Sequence, residues 1–80
     1  MSVYLVYWCN NEDYEDYRES VEAAFATRES AERFIESKGY RPHVCRDEWE
    51  KRHWTGRYDG APDEFGYYSS MWVREMEVEQ

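Results

Sequence analysis

The sequence has few of the aliphatic residues that usually fill a protein core, with one leucine and one isoleucine in 80 residues. Folding a chain of this length buries only about 60–65 % of its unfolded surface, so each large apolar side chain matters. Four tryptophans, eight tyrosines and three phenylalanines take the place of the missing aliphatics. Tryptophan and tyrosine are also favoured at interfaces. We therefore predict a single domain over residues 1–80 whose aromatic side chains build the core and also serve a binding surface.

Long apolar runs are absent. No stretch approaches the roughly 18 residues that a membrane-spanning helix needs, and Met1-Ser2-Val3 leads directly into a strand-like run. A secretory signal would begin with a basic region and an apolar segment instead. We expect a cytoplasmic protein without a membrane partner, in which Cys9 and Cys45 stay reduced.

Positive charge is also scarce. Eighteen acidic residues against ten lysines and arginines give a net charge of −8. Such a field repels phosphate backbones, so nucleic acid is an unlikely partner for the chain as a whole. It favours approach to basic surfaces, including the nucleic-acid grooves of other proteins. The mean hydropathy of −1.09 resembles that of disordered chains, but the abundant, periodic aromatics indicate a folded domain.

Thiols and imidazoles are too few and too scattered for a standard metal site. The candidates are Cys9, His43, Cys45 and His53, which are the right kinds of ligand for tetrahedral zinc. The His43-x-Cys45 spacing lacks the usual gap of two to four residues, and Cys9 stands apart. Two buried thiols and two surface or boundary histidines are the alternative interpretation, and we predict no cofactor.

Glycine-rich catalytic loops are missing as well. Gly56, Gly60 and Gly66 match neither a dinucleotide-binding nor a phosphate-binding pattern. Cys45, a histidine and Asp47 are the residue types of a nucleophilic site, but nothing else in the sequence indicates one. We predict that the protein is not an enzyme.

Residues 3–9 are β-branched and aromatic at alternating positions, which predicts a central strand covered on both faces. A second strand is predicted over 21–25, and a final strand over 67–78. Between them, Thr27 as N-cap, apolar residues at helical spacing and Lys38-Gly39 at the end predict a helix over 28–38.

The middle of the chain is less determined by its pattern. Pro42 allows 41–46 to be an edge strand at most. Residues 47–54 favour a short helix capped near Asp47, with a strand as the alternative, and the glycine-rich segment 55–66 predicts a long loop. The predicted fold is α+β: an antiparallel sheet of three or four strands with one main helix on one face.

Acidic and aromatic residues are interleaved in two segments, which makes these segments candidate contacts for a basic protein partner. Tyrosines would supply contact energy and the carboxylates would speed encounter. A solvated loop or one helical turn whose tyrosines pack down is the alternative for the first segment. The candidate partner-binding residues are Glu12, Asp13, Tyr14, Glu15, Asp16, Tyr17, Asp59, Asp63, Glu64 and Phe65.

Segment 41–58 is the one basic region. Cations interleaved with aromatics are the components of a single-stranded nucleic-acid binding surface. The alternative is that the aromatics fill the core and the charges form a mixed solvated face. The residues concerned are Arg41, Arg46, Lys51, Arg52 and Arg57, with Trp49, Trp54 and Tyr58 among them.

Three stretches of sequence carry a resemblance: V-Y-L-V-Y-W (3–8), V-E-A-A-F-A-T-R-E-S-A-E-R-F-I (21–35) and M-W-V-R-E-M-E-V (71–78). Over residues 3–38 and 71–78, about half of the chain, the sequence resembles small accessory proteins of tailed bacteriophages. The resemblance carries over no catalytic or binding residue. It implies a phage protein in a bacterial host cell.

Small acidic phage proteins often bind and block a host protein, including bacterial immune effectors. We therefore expect a non-catalytic accessory protein that binds, and inhibits, a host protein with a basic groove. A homo-oligomer formed through an exposed edge strand and a single-stranded nucleic-acid binder remain the alternatives.

Overall fold

The computed structural model describes residues 1–12, 15–64 and 66–79. Within these residues the elements are β1 Ser2–Cys9, β2 Glu19–Phe25, α1 Arg28–Ser37, β3 Arg41–Pro42, α2 Glu48–Trp54, β4 Tyr58–Pro62 and β5 Tyr68–Glu77. The strands form one antiparallel sheet in the order β2-β1-β5-β4-β3. The predicted α+β class is confirmed, with five strands in place of three or four.

Strand β1 lies inside the sheet because both of its edges are paired. It pairs with β2 from Tyr4↔Phe25 to Cys9↔Glu19, and with β5 from Ser2↔Glu77 to Cys9↔Ser70. The predicted central position is therefore confirmed. Both faces of β1 are apolar, but helix α1 packs on only one of them, and Leu5 and Tyr7 on the other face stay half-buried.

Helix α1 supplies the second layer of the core. It begins after Thr27, whose Oγ1 accepts a hydrogen bond from the backbone N–H of Ser30 at 3.2 Å. Ala31 and Ile35, four residues apart on the same face, are completely buried against Val6 of β1. The helix ends one residue before the predicted boundary.

The predicted loop over 55–66 contains strand β4, so this part of the prediction is wrong. Tyr58 lies opposite Met71 and Asp59 opposite Ser70, and the register then shifts before Pro62. The loop was predicted because the segment is rich in glycine and contains proline, and Gly60 and Pro62 lie at this irregularity of the strand. Pairing with β5 decides its conformation.

The two remaining predictions for the middle of the chain are confirmed. Strand β3 is a two-residue edge strand that ends at Pro42. Helix α2 begins after Asp47, whose carboxylate accepts from the backbone N–H of Glu50 at 2.9 Å. Neither helix in the described part of the chain is long and apolar enough to cross a membrane.

A close approach between β4 and the segment after α1 requires a glycine at position 60. A Cβ atom on Gly60 would lie 2.6 Å from Cε2 of Tyr40. The Tyr40 hydroxyl is held by Trp8 Nε1 at 3.1 Å and lies 2.6 Å from Ser69 Oγ. The ring therefore cannot move away without losing these hydrogen bonds.

Substituting Gly60→Ala should lower the free energy of unfolding by about 1–3 kcal/mol, the usual cost of overpacking. Urea denaturation measures the change. Ala61→Ser on the exposed neighbouring residue is the control and should stay within about 0.5 kcal/mol of wild type. Equal stability of Gly60→Ala and wild type would contradict this account of the strand contact.

Candidate functional site

The C-terminal end of β1 and the N-terminal ends of β2 and β5 meet at one end of the sheet because the strands are antiparallel. Asn10 organises the loop between β1 and β2 there. Its amide nitrogen donates to Glu12 Oε2 and to the backbone carbonyl of Asp16, both at 2.7 Å. Its side-chain oxygen accepts from the backbone N–H of Arg18 at 3.0 Å. Asn10 therefore ties Glu12, Asp16 and Arg18 of the acidic segment together by hydrogen bonds.

Both acidic segments predicted from the sequence contribute to this end of the sheet. A cleft of about 310 Å³ is lined by Trp8, Asn10, Glu12, Asp16, Arg18 and Asp63. The term acidic end is used below for Glu12, Glu15, Asp16, Tyr17, Asp63 and Glu64. Of the other predicted contacts, Asp13, Tyr14 and Phe65 lie outside the described residues.

Tyrosine hydroxyls accompany the carboxylates at the acidic end. Tyr17 is 46 % exposed, and its hydroxyl donates to Glu19 Oε2 at 2.7 Å. This hydrogen bond to a carboxylate is the main reason why the pKa of Tyr17 is raised to about 12. The phenol therefore stays protonated at neutral pH. Tyr67 and Tyr68, after Asp63, are also exposed.

Asp59, the remaining predicted contact, belongs to a different group of residues. Its Oδ2 lies 2.6 Å from Nδ1 of His43, whose Nε2 lies 2.8 Å from Oε1 of Glu50. Glu50 is only 6 % exposed, and Arg46 Nε donates to its second oxygen at 3.3 Å. The hydrogen bonds to Asp59 and Glu50 raise the pKa of His43. The His43 ring, held between two carboxylates, thus joins β4 to α2.

Asp59, His43 and Glu50 are called the His43 triad below. Only part of this arrangement could be predicted from the sequence. The spacing of Asp47 and Glu50 marks a helix start, but the pairing of His43 with Asp59 depends on the unpredicted strand β4. Both ring nitrogens of His43 are occupied by carboxylates. This imidazole therefore offers no free nitrogen to a metal or to a substrate proton.

The candidate zinc ligands are not assembled into one group. Buried Cys9 donates its thiol to Asn11 Oδ1 at 3.1 Å, Cys45 is half-buried, and His53 packs against Trp49. Among the described residues, no group of three or more potential ligands lies close enough to hold a metal ion.

The aromatic residues of the basic segment divide between core and surface. Trp49 is 59 % exposed, with its ring 4.6 Å from that of His53. Trp54 is half-buried edge-on against His43, with ring centroids 5.2 Å apart, and Tyr58 packs on the core. The two alternatives for this segment therefore each describe part of it, and nucleic-acid binding stays a prediction.

A second, larger cleft of about 620 Å³ lies on the sheet face opposite α1. It is lined by Asn11, His43, Arg46, Trp54, Arg57, Asp59, Gly60, Gly66, Tyr67, Tyr68 and Ser70. His43 and Asp59 contribute to its lining together with Tyr67 and Tyr68, which follow Gly66. Nothing in the sequence indicated this cleft, because its lining comes from four separate segments of the chain: 11, 43–46, 54–60 and 66–70.

No family model matches the sequence, and neither a curated protein nor a solved structure matches it closely enough to show a relationship. The resemblance to phage accessory proteins therefore stays a prediction, and the arguments below depend on the geometry.

Because the pKa of His43 is raised on folding, stability should depend on pH. The contribution of the imidazolium is fully present below pH 6.5, the ordinary histidine pKa, and is lost as pH rises through the higher pKa of the folded protein. Urea midpoints measured at pH values on both sides of 6.5 should fall with rising pH. His43→Gln should remove this dependence.

His53→Gln is the matched control because His53 is exposed and takes no part in the triad. It should keep the wild-type pH dependence. If His43→Gln retained the same slope as wild type, the triad would not be the source of the effect.

Proposed function

We propose that this protein is a non-catalytic binding protein whose acidic end docks on a basic surface of a protein partner. The observation that supports this most directly is the common cleft of Glu12, Asp16 and Asp63. Two acidic segments that are far apart in the sequence contribute to it. Three carboxylates against the single guanidinium of Arg18 leave the cleft negative at neutral pH.

The surroundings of the cleft also suit a basic partner. Glu15, Asp16 and Glu64 are exposed, and the whole chain carries a net charge of −8. Carboxylates with complementary potential raise the association rate, and arginine side chains bind carboxylates with paired hydrogen bonds. Exposed Tyr17 next to them supplies apolar contact area of the kind typical of binding hot spots.

The partner we propose is a host bacterial protein with a basic groove, such as an immune effector, which binding would inhibit. This part of the proposal depends on the resemblance to phage accessory proteins. The acidic end would compete there with a negatively charged ligand for the same groove.

A double charge reversal, Glu15→Lys with Asp16→Lys, should slow association with the partner without unfolding the domain, since both side chains are exposed. The partner is first recovered from bacterial lysate on tagged protein at low and moderate salt and identified by mass spectrometry. Association rates are then measured with the purified partner. The wild-type rate should fall as salt increases.

Glu75→Lys with Glu79→Lys is the matched control, because it changes the net charge equally at the other end of the sheet. It should slow association much less. Equal rates for the two double variants would show that net charge matters and that the acidic end is not the contact.

A homodimer is the second candidate, because β2 is an edge strand of seven residues without proline. Pairing two copies along β2 would bring the Glu19 and Glu22 carboxylates of both chains to one seam. Salt would screen this repulsion and strengthen the dimer. Light scattering at low and high salt therefore separates it from a basic partner, which salt weakens.

A further inference from the structure

The larger cleft, on the sheet face opposite α1, has the dimensions of a small-molecule site. Its volume of about 620 Å³ lies within the range of roughly 300–1,000 Å³ that is typical of ligand pockets. It is separate from the acidic end: none of the acidic-end residues is among its lining residues. The proposed docking function leaves it without a role.

Flat aromatic side chains form much of the cleft wall. Trp54 is held by its edge-on contact with His43. Tyr67 and Tyr68, 41 % and 53 % exposed, form a second aromatic wall. The amide nitrogen of Asn11 holds this second wall in place, because it donates to the backbone carbonyl of Tyr68 and to Ser70 Oγ. Aromatic walls of this kind favour a ligand with a flat ring.

The charge of the cleft is opposite to that of the whole chain. His43, Arg46 and Arg57 line it, and Asp59 is the one acidic residue among the described lining residues. Glu50 behind the wall binds His43 and Arg46. His43 therefore binds both Asp59 and Glu50, Arg46 also binds Glu50, and one arginine of the lining has no acidic partner among the described residues.

That cation is Arg57. Its guanidinium lies over the Trp72 ring, 4.7 Å from the centroid, and Trp72 is itself stacked on Tyr7. Within the described part of the chain, the guanidinium makes no ion pair and no side-chain hydrogen bond. The backbone hydrogen bonds of Arg57, to Trp54 and His43, keep the residue in place beside the cleft. Its donors are free to bind an anion there.

We propose that this cleft binds a small anion that carries a flat ring, of the size of a nucleoside monophosphate. Arg57 donates to the phosphate or carboxylate group of the ligand. The ring lies between Trp54 and the Tyr67–Tyr68 wall. A nucleotide and an aromatic carboxylate share this chemistry, and the two are separated by the probes below.

The probe is adenosine monophosphate, titrated into isotope-labelled protein at low salt and followed by NMR. The indole N–H of Trp54 and the backbone N–H groups of Tyr67 and Tyr68 should shift with saturation. Adenosine, which lacks the anion, and inorganic phosphate, which lacks the ring, should each bind at least roughly tenfold more weakly, since a charge-assisted hydrogen bond or a ring contact is lost. Indole-3-acetate, titrated in the same way, tests whether the ligand is an aromatic carboxylate.

Arg57→Gln should weaken adenosine monophosphate binding by roughly tenfold or more. Arg74→Gln is the control, because Arg74 is an exposed arginine of β5 that does not line the cleft. This variant should bind adenosine monophosphate as wild type does. Tyr68→Ala, at an exposed position, removes a ring from the cleft wall and should also weaken adenosine monophosphate binding. This second test does not depend on Arg57. Tighter binding of indole-3-acetate than of adenosine monophosphate, with the same response to Arg57→Gln, would assign the site to aromatic carboxylates.

Three results would overturn the proposal: no shift with either ringed anion, equal binding of adenosine and adenosine monophosphate, or unchanged binding by Arg57→Gln. None of these results tests the acidic end. The docking proposed for the acidic end is tested separately, by the association rates of the charge-reversal variants.

Discussion

The pairing of β1 with β5 is the constraint on which the rest of the molecule depends. It runs without a register shift from Ser2↔Glu77 to Cys9↔Ser70 and joins the two ends of the chain. Contacts of such long sequence separation are entropically costly to close, and the apolar side chains along both strands offset this cost. Once the pair forms, the loops after β1 and before β5 are adjacent. The acidic end and one wall of the larger cleft follow from this adjacency.

The scarcity of aliphatic residues shapes the two faces of the sheet differently. On the α1 face, a small fully buried cluster around Val6, Ala31 and Ile35 is enclosed by half-buried aromatic rings. On the other face, stacked Tyr7 and Trp72 lie under the Arg57 guanidinium, and both rings stay half-buried. Rings tolerate this half-exposed position better than leucine does, because they have polarizable faces and interact with cations. The sheet thus has one face packed against α1 and one on which half-buried rings and a cation lie together.

Charge is distributed as unevenly as apolar surface. Carboxylates of two distant segments meet at the acidic end, while Arg46 and Arg57 of the middle segment line the larger cleft. Within this arrangement the His43 triad has a structural role, since its imidazolium neutralises buried Glu50 and ties β4 to the short helix α2. A buried carboxylate without such partners would be strongly destabilising. The shape of the cleft therefore depends on a histidine whose pKa is raised by its hydrogen bonds to Asp59 and Glu50.

Local patterns in the sequence determined the α+β class, the central position of β1 and the limits of α1 to within one residue. The reason is that alternation, helical spacing, the Thr27 cap and the closing glycine act over a few neighbouring residues. They also marked the acidic segments and the helix start at Asp47. Only the tertiary structure decided that 58–62 is a strand, that Asp59 binds His43 instead of joining the acidic end, and which tryptophan is exposed. These features depend on partners many residues away, which no local pattern specifies.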